Sequence, residues 1–253
     1  MIDSHCHLEQ KEFENKLDFF IPKWREELRF IVSSCAHPDD IEKTLEIYRK
    51  FKPFVRICIG FHPEFVEAKE KEIEKVVEFI SEHKKEIVAI GEVGLDYWEI
   101  KDRSLQEKQK QLFSEFIKLA KKLALPLVVH SREASKDCVE LLEQHEMQGK
   151  KVLMHLFQSR ELLKRIEENG WFISIGPGIL KSKNAKKIAK AMPIQHILLE
   201  TDSPWFAQPG QDFGIPLNVK IVCEKIAEIK KIPLAEVEKQ TDENAIEFFN
   251  LEK

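Results

Sequence analysis

Cysteine is scarce and scattered in this sequence: Cys6, Cys35, Cys58, Cys138 and Cys223 are odd in number, widely spaced and form no CxxC pair. That pattern argues against a disulfide framework and against a zinc–thiolate site, and leaves buried free thiols as the reading. Long apolar runs are missing as well, and none approaches the roughly 18 residues that a membrane span requires. The opening Met1-Ile2-Asp3-Ser4-His5 carries neither a basic segment nor an apolar stretch, so no secretory signal and a cytoplasmic setting are expected. Positive charge is not in excess either. A net charge of −4 gives no global attraction to nucleic acid, so any phosphate affinity must be local, from a bound cation or a basic patch. Glycine is sparse, with 9 in 253 residues, and charge is carried mostly by lysine and glutamate, a composition associated with thermophilic proteins. No low-complexity linker or shift of composition divides the chain, so one domain over residues 1–253 is expected.

What is present is a soluble-type composition, 43% hydrophobic and 33% charged, which excludes a disordered chain. Short apolar runs alternate with long amphipathic stretches. Strands are expected at Ile2–His5, Phe30–Cys35, Phe54–Gly60, Ile87–Gly91, Leu127–His130, Lys151–His155, Trp171–Ile175 and His196–Thr201. Helical patterns fall between them at Asp39–Phe51, Glu64–Lys84, Leu105–Leu123, Ser135–Gln148, Arg160–Glu168 and Ala185–Ala191, with Asn218–Ile229, Leu234–Glu238 and Glu243–Phe249 after the eighth run. Continuous apolar runs such as LPLVVH and HILLE suit strands buried on both faces of a parallel sheet. Eight such strands alternating with helices point to a (β/α)₈ barrel, with a doubly wound open sheet as the alternative.

The polar residues fall at strand ends. His5 and His7 close the first strand, Glu92 follows the fourth, His130 and His155 end the fifth and sixth, and Asp202 follows the eighth. In a barrel these carboxyl ends open on one face, so the six groups would converge in one pocket. His5 and His7 are two apart on extended chain and point the same way, which suits capture of one cation. Imidazole with carboxylate is a ligand set for zinc, manganese or iron more than for calcium. Each histidine taken alone reads more simply as a satisfied core residue. Burying all of them together with no cation or ion pair would be costly. His83, His145 and His196 read as surface or edge residues, and His37 has no nameable partner. Trp24, Phe79 and Phe116 fit helix faces packed on a barrel. The lysine-rich runs at Lys69–Lys75 and Lys181–Lys190 read as solvated helix faces, with contact to a phosphate backbone as the alternative for the second.

DSHCHL (Asp3–Leu8), GFHP (Gly60–Pro63), GEVGLDY (Gly91–Tyr97), VVHSR (Val128–Arg132), ETDSPW (Glu200–Trp205) and TDENAIEFF (Thr241–Phe249), taken together, resemble the TatD family of metal-dependent deoxyribonucleases in the amidohydrolase superfamily. The resemblance spans nearly the whole chain. It implies two divalent cations (zinc, magnesium or manganese), one held by His5, His7 and Asp202 and the other by His130 and His155, with Glu92 bridging. It implies that Asp202 accepts the proton of the attacking water, that His62 contacts the scissile phosphate and that Arg132 helps neutralise it. Asp3 is expected behind the ligands, holding one histidine's other nitrogen. The chain departs from the family pattern at HLFQSR (His155–Arg160) and in the loop after strand eight, where Gln211, Asp212 and Phe213 replace an arginine-bearing segment. Asp212 would repel a backbone phosphate. Phe213 would either stack on an exposed base, favouring single-stranded or frayed DNA, or lie buried under the loop. The expected partner is DNA, with no membrane and no protein partner inferred. Hydrolysis of an ester or amide, and a non-catalytic binding protein that keeps the barrel, stand as the alternatives.

Overall fold

Each of the eight apolar runs becomes a strand. The computed structural model describes residues 1–35 and 37–251. Its strands are β1 (Ile2–Cys6), β2 (Phe30–Cys35), β3 (Val55–Ile59), β4 (Ile87–Asp96), β5 (Leu127–Arg132), β6 (Val152–Met154), β7 (Phe172–Ile175) and β8 (Ile197–Leu199). They pair in parallel in the order β1 to β8, each with its sequence neighbour. The remaining seam, between β8 and β1, is drawn together just beyond β8: the Asp202 amide donates to the His5 carbonyl (2.9 Å) and the His7 amide to the Ser203 carbonyl (2.7 Å). The Ser4 hydroxyl adds a bond to the Leu199 carbonyl at 2.7 Å. The architecture is a (β/α)₈ barrel.

The period-two alternation of a strand sorts the core into two clusters. Ile2, Val32, Cys58, Ala89, Val128, Leu153, Phe172 and Leu198, one from each strand, fill the barrel interior. Their neighbours Ile31, Ile57, Ile90, Leu127, Val129, Ile173 and Ile197 face outward into the shell of helices. The amino-terminal end of the barrel is plugged by Ala245, Ile246, Phe248 and Phe249. Each fully buried phenylalanine there contributes about 1.5–3 kcal/mol by removal from water. With one end closed by apolar residues, the opposite end is left for polar chemistry.

The helices are α1 (Leu17–Arg25), α2 (Ile41–Phe51), α3 (Glu70–Glu82), α4 (Arg103–Leu123), α5 (Ser135–Gln144), α6 (Leu163–Glu168), α7 (Lys183–Ala191), α8 (Val219–Lys230) and α9 (Leu234–Phe248). Trp24 and Phe116 are buried on α1 and α4, and Phe79 is half-buried on α3, packed on the core. Three differences from the sequence reading have local causes. Helix α1 has Pro22 in its interior and two adjacent phenylalanines, a pattern that reads as a break. The two short carboxyl-terminal helices expected from the pattern are one helix, α9. Across the expected break Thr241, Asp242 and, just beyond it, Asn244 are buried rather than solvated, and Asn244 bonds the Ile194 and Ile197 carbonyls. Strand β4 runs five residues further than its apolar run, because Gly94, Leu95 and Asp96 keep pairing with His130, Ser131 and Arg132 of β5.

Candidate metal centre

The carboxyl ends of the strands open on a cavity of about 1250 Å³. At its floor the structure gathers His5, His7, Glu92, His130, His155 and Asp202, all six of the expected ligands, with His62 beside them. Glu92 reaches this position because the β4 register shifts between Ile90 and Val93, which breaks the in–out alternation and turns its side chain into the mouth. The approach is tight. A Cβ on Gly60 would lie 2.4 Å from the Gly91 carbonyl carbon and 2.6 Å from the Glu92 nitrogen, so only glycine fits there.

The two oxygens of Glu92 face different partners. Oε2 lies 3.3 Å from His5 Nε2 and 3.8 Å from His7 Nε2. Oε1 lies 2.8 Å from His130 Nδ1, 3.6 Å from His155 Nε2 and 3.7 Å from His62 Nε2. Asp202 Oδ1 sits 3.3 Å from His7 Nε2, 3.7 Å from His5 Nε2 and 4.0 Å from His155 Nε2. Three groups of donor atoms therefore each fall within 4.8 Å of one another: His5 with His155 and Asp202, His5 with His7 and Glu92, and His62 with Glu92 and His130. Imidazoles and carboxylates converging on shared points form a donor set for a divalent cation. Asp202 holds a left-handed backbone, φ +52°, which an aspartate tolerates better than most residues and which points its carboxylate back over the histidines.

Three of the histidines are held from behind by carboxylates. Glu9 approaches His7 Nδ1 (3.4 Å), Asp96 bonds His130 Nε2 (2.8 Å) and Glu200 bonds His155 Nδ1 (2.9 Å). Each contact fixes a ring so that its other nitrogen faces the centre. These carboxylates were not foreseen, although all three lie within or beside the quoted motifs. Asp3 is a correction: its carboxylate holds no histidine ring. It accepts from the backbone amides of His5 (3.3 Å) and Thr201 (2.9 Å) and from the Thr201 hydroxyl (2.5 Å), and so ties β1 to the end of β8.

The charges sort accordingly. Burial alone would raise the pKa of Glu92, but His155, His130 and His5 more than offset it and hold the carboxylate well below its usual range. Asp202 is likewise held down, mainly by His7 against the effect of burial. Burial opposes charging of His155, yet Glu200, Glu92 and Asp202 carry its pKa up to about 10. His7 and His130 are raised for the same kind of reason. His5 is lowered by burial and by His155, and His62 by burial and by His130, to about 3. His62 Nδ1 accepts the Glu64 amide (3.2 Å), so its single proton sits on Nε2, which faces the centre. His37 has the same local arrangement, with Nδ1 accepting the Asp39 amide (3.1 Å), and stands further out in the cavity wall.

Arg132 stands at the rim, exposed, paired with Glu99 (3.1 Å) and lying 5.0 Å from the centroid of the Trp98 ring. Phe213 does not line the cavity. It packs edge-on against Phe13 (5.3 Å) and Phe20 (6.3 Å) with Lys16 over its ring, so the stacking role is replaced by a packing role. Gln211 turns inward to pair with Asn218. The exposed aromatics at the mouth are instead Trp98, Trp205 and Phe206. His83, His145 and His196 lie outside the cavity, and His196 bonds the Trp171 carbonyl at an edge.

Comparison with known proteins agrees with the motifs. The family model described as TatD related DNase matches residues 2–250. The chain is 34% identical to Deoxyribonuclease TATDN3 of Homo sapiens, over 98% of this chain and 94% of that protein. It is 33% identical to the metal-dependent hydrolase MJ1582 of Methanocaldococcus jannaschii, over 98% and 96%. Among solved structures, YJJV, a TatD homologue from Escherichia coli K12, superposes with a TM-score of 0.90 at 24% identity and covers 100% of this chain and 98% of its own, which is a likeness of fold. The motifs, the barrel and the family match over nearly the full length agree, and the chain belongs to the TatD related DNase family.

Proposed function

We propose that this protein is a metal-dependent hydrolase of phosphodiester bonds in DNA, working at a two-cation centre within a single barrel domain. The observation that carries this reading is the split of Glu92, one oxygen toward His5 and His7 and the other toward His130 and His155. From that position Glu92 would hold a cation on each side, and Asp202 would complete the set. The donor chemistry fits zinc, manganese or, with bound water, magnesium. When bound, the cations would supply acidification of water and neutralisation of phosphate charge.

The rest falls to the chain's own residues. Asp202, ionised and only partly exposed, orients the attacking water and takes its proton. His62, held neutral with its proton on Nε2, donates to an oxygen of the scissile phosphate. Arg132 adds positive charge at the rim. Glu9, Asp96 and Glu200 keep the histidine rings in register. The substrate preference favoured here is single-stranded or frayed DNA, now on the exposed rings of Trp98, Trp205 and Phe206 rather than on Phe213, because unstacked bases can lie on such rings at about 1–3 kcal/mol each. The five cysteines are all free and buried, which suits a reducing, cytoplasmic setting.

The test is cleavage of labelled single-stranded and duplex DNA by metal-stripped protein to which Mg²⁺, Mn²⁺ or Zn²⁺ is restored, beside a small carboxylic ester. Metal-restored cleavage of DNA, faster on single strands, is expected. Turnover of the ester alone would move the protein to the other hydrolase reading.

A further inference from the structure

The rim of the cavity is electrically lopsided. On the side built from the β2 to β5 ends it is lined by Asp40, Glu64, Glu99 and Glu133, together with Arg132, which pairs with Glu99. On the side built from the β6 and β8 ends, above His155 and Asp202 of the centre itself, the rim residues are Leu156, Gln158, Ser159, Trp205 and Phe206, none of them charged. Immediately behind that uncharged flank runs a tract without acidic residues: from Gly176 to Leu199 the sequence holds Lys181, Lys183, Lys186, Lys187 and Lys190 and no Asp or Glu. These five form no ion pair among the described residues, whereas on the neighbouring helices Lys164 pairs with Glu168, Arg165 with Glu143 and Lys225 with Glu228. In a protein of net charge −4, five lysines in a tract without a single carboxylate make a local excess of positive charge.

The tract is joined to the cavity at two points. Asn184, in the first turn of α7, donates to the carbonyl of Gln158, a cavity-lining residue. Phe206, exposed at the mouth, lies over Gly178, where an added Cβ would meet its ring at 3.9 Å, and Lys181 follows three residues later. The five lysines do not line the cavity themselves; the tract that carries them adjoins its wall at Phe206 and Gln158. A polyanion leaving by the other side would cross four carboxylates, of which Glu99 is paired with Arg132 and Glu133 with Lys101.

We propose that Lys181, Lys183, Lys186 and Lys187 form a track for the DNA backbone leading away from the metal centre, so that the uncleaved part of the strand leaves over the β7 flank and not over the acidic rim. This rests on the phosphodiester reading and gives the bound strand a direction. Contacts of this kind position a backbone without reading its sequence.

The test uses the metal-loaded protein and the triple variant K183Q/K186Q/K187Q, with K75Q/K118Q/K122Q, on the exposed faces of α3 and α4, as a control of equal charge change. Binding of a fluorescent, cleavage-resistant phosphorothioate oligothymidylate of roughly twelve nucleotides is followed by anisotropy as salt is varied. Loss of three backbone contacts should lower the slope of log K against log salt by about 2 and weaken binding on the order of tenfold at low salt, while the control keeps its slope. Turnover of a dinucleotide, too short to reach the track, should be the same in all three proteins. An unchanged slope in K183Q/K186Q/K187Q, or an equal change in the control, would overturn the track. If the wild-type protein cleaved no DNA at all, the phosphodiesterase reading would fall, and the binding slopes would still decide the role of the lysines.

Discussion

Glu200 offers the sharpest test of how the centre is held together. It is fully buried, and its two oxygens have separate duties: Oε2 accepts from His155 Nδ1 at 2.9 Å and Oε1 from the Leu156 amide at 3.1 Å. Glu200→Gln keeps the shape but has only one acceptor for these two donors. If the amide oxygen faces Leu156, the amide NH₂ meets Nδ1, and His155 must move its proton to Nε2, the nitrogen that faces Glu92 and Asp202. The lone pair needed for a cation is then lost. If the amide oxygen faces His155, the Leu156 amide faces the amide NH₂ and keeps only its bond to the Ser174 hydroxyl (3.1 Å), two donors opposed in a buried place, on a residue already at φ +41°. Removal of such a supporting carboxylate typically costs 10- to 100-fold in metal affinity, about 1.4–2.7 kcal/mol. Calorimetric titration of the stripped protein with Zn²⁺ or Mn²⁺ should show the weaker affinity, and melting of the chelated protein should show a modest fall in Tm. Unchanged affinity for both cations in Glu200→Gln would refute the claim that this carboxylate sets the His155 tautomer.

Asp202→Asn should bind metal and keep its fold, since asparagine accepts a left-handed backbone as readily as aspartate. Its turnover should drop by about 10²–10⁴-fold, because an amide cannot take the proton; near-normal rates at full metal occupancy would place the base elsewhere. The metal-free protein should lose stability in alkali: with its folded pKa near 10 against an ordinary 6.5, His155 contributes stability fully present below pH 6.5 and lost as pH rises toward 10. Melting of chelated protein across that range checks the sign, and a Tm that stays level or climbs would contradict it. Loading should show the converse, with a cation displacing the His155 proton and binding more tightly as pH rises; proton release measured in two buffers of different ionisation heat reads this directly. Phe213→Ala should lower stability by about 1–2 kcal/mol, a partial version of the loss at a fully buried phenylalanine, with KM for single-stranded DNA unchanged. A raised KM at constant Tm would return the ring to the substrate.

Much of this protein is legible in one dimension because a parallel barrel writes itself locally. Strands buried on both faces must be apolar throughout, helices between them must be amphipathic, and ligands must stand where a strand ends, so His5, His7, His130 and His155 could be located from position alone. Glu92 and Asp202 were placed by the same logic. Their orientation was not, since it depends on a register shift against β3 and β5 in one case and a left-handed turn in the other. Asp96 and Glu200 were missed because a carboxylate supporting a ring is defined by a partner on another strand: 34 residues separate Asp96 from His130 and 45 separate Glu200 from His155. Glu9 stands only two residues from His7, but its approach to that ring depends on how the chain turns beyond β1. Asp3 was misassigned for the same reason, its neighbour being Thr201 across the seam. Phe213 could not be decided from a loop sequence whose course is set by packing on α1, and Pro22 hid α1 itself. Periodicity and composition determined the barrel and the ligand types. Which nitrogen faces the centre and which carboxylate stands behind it were decided only when the chain folded, because each is a property of a pair and not of a residue.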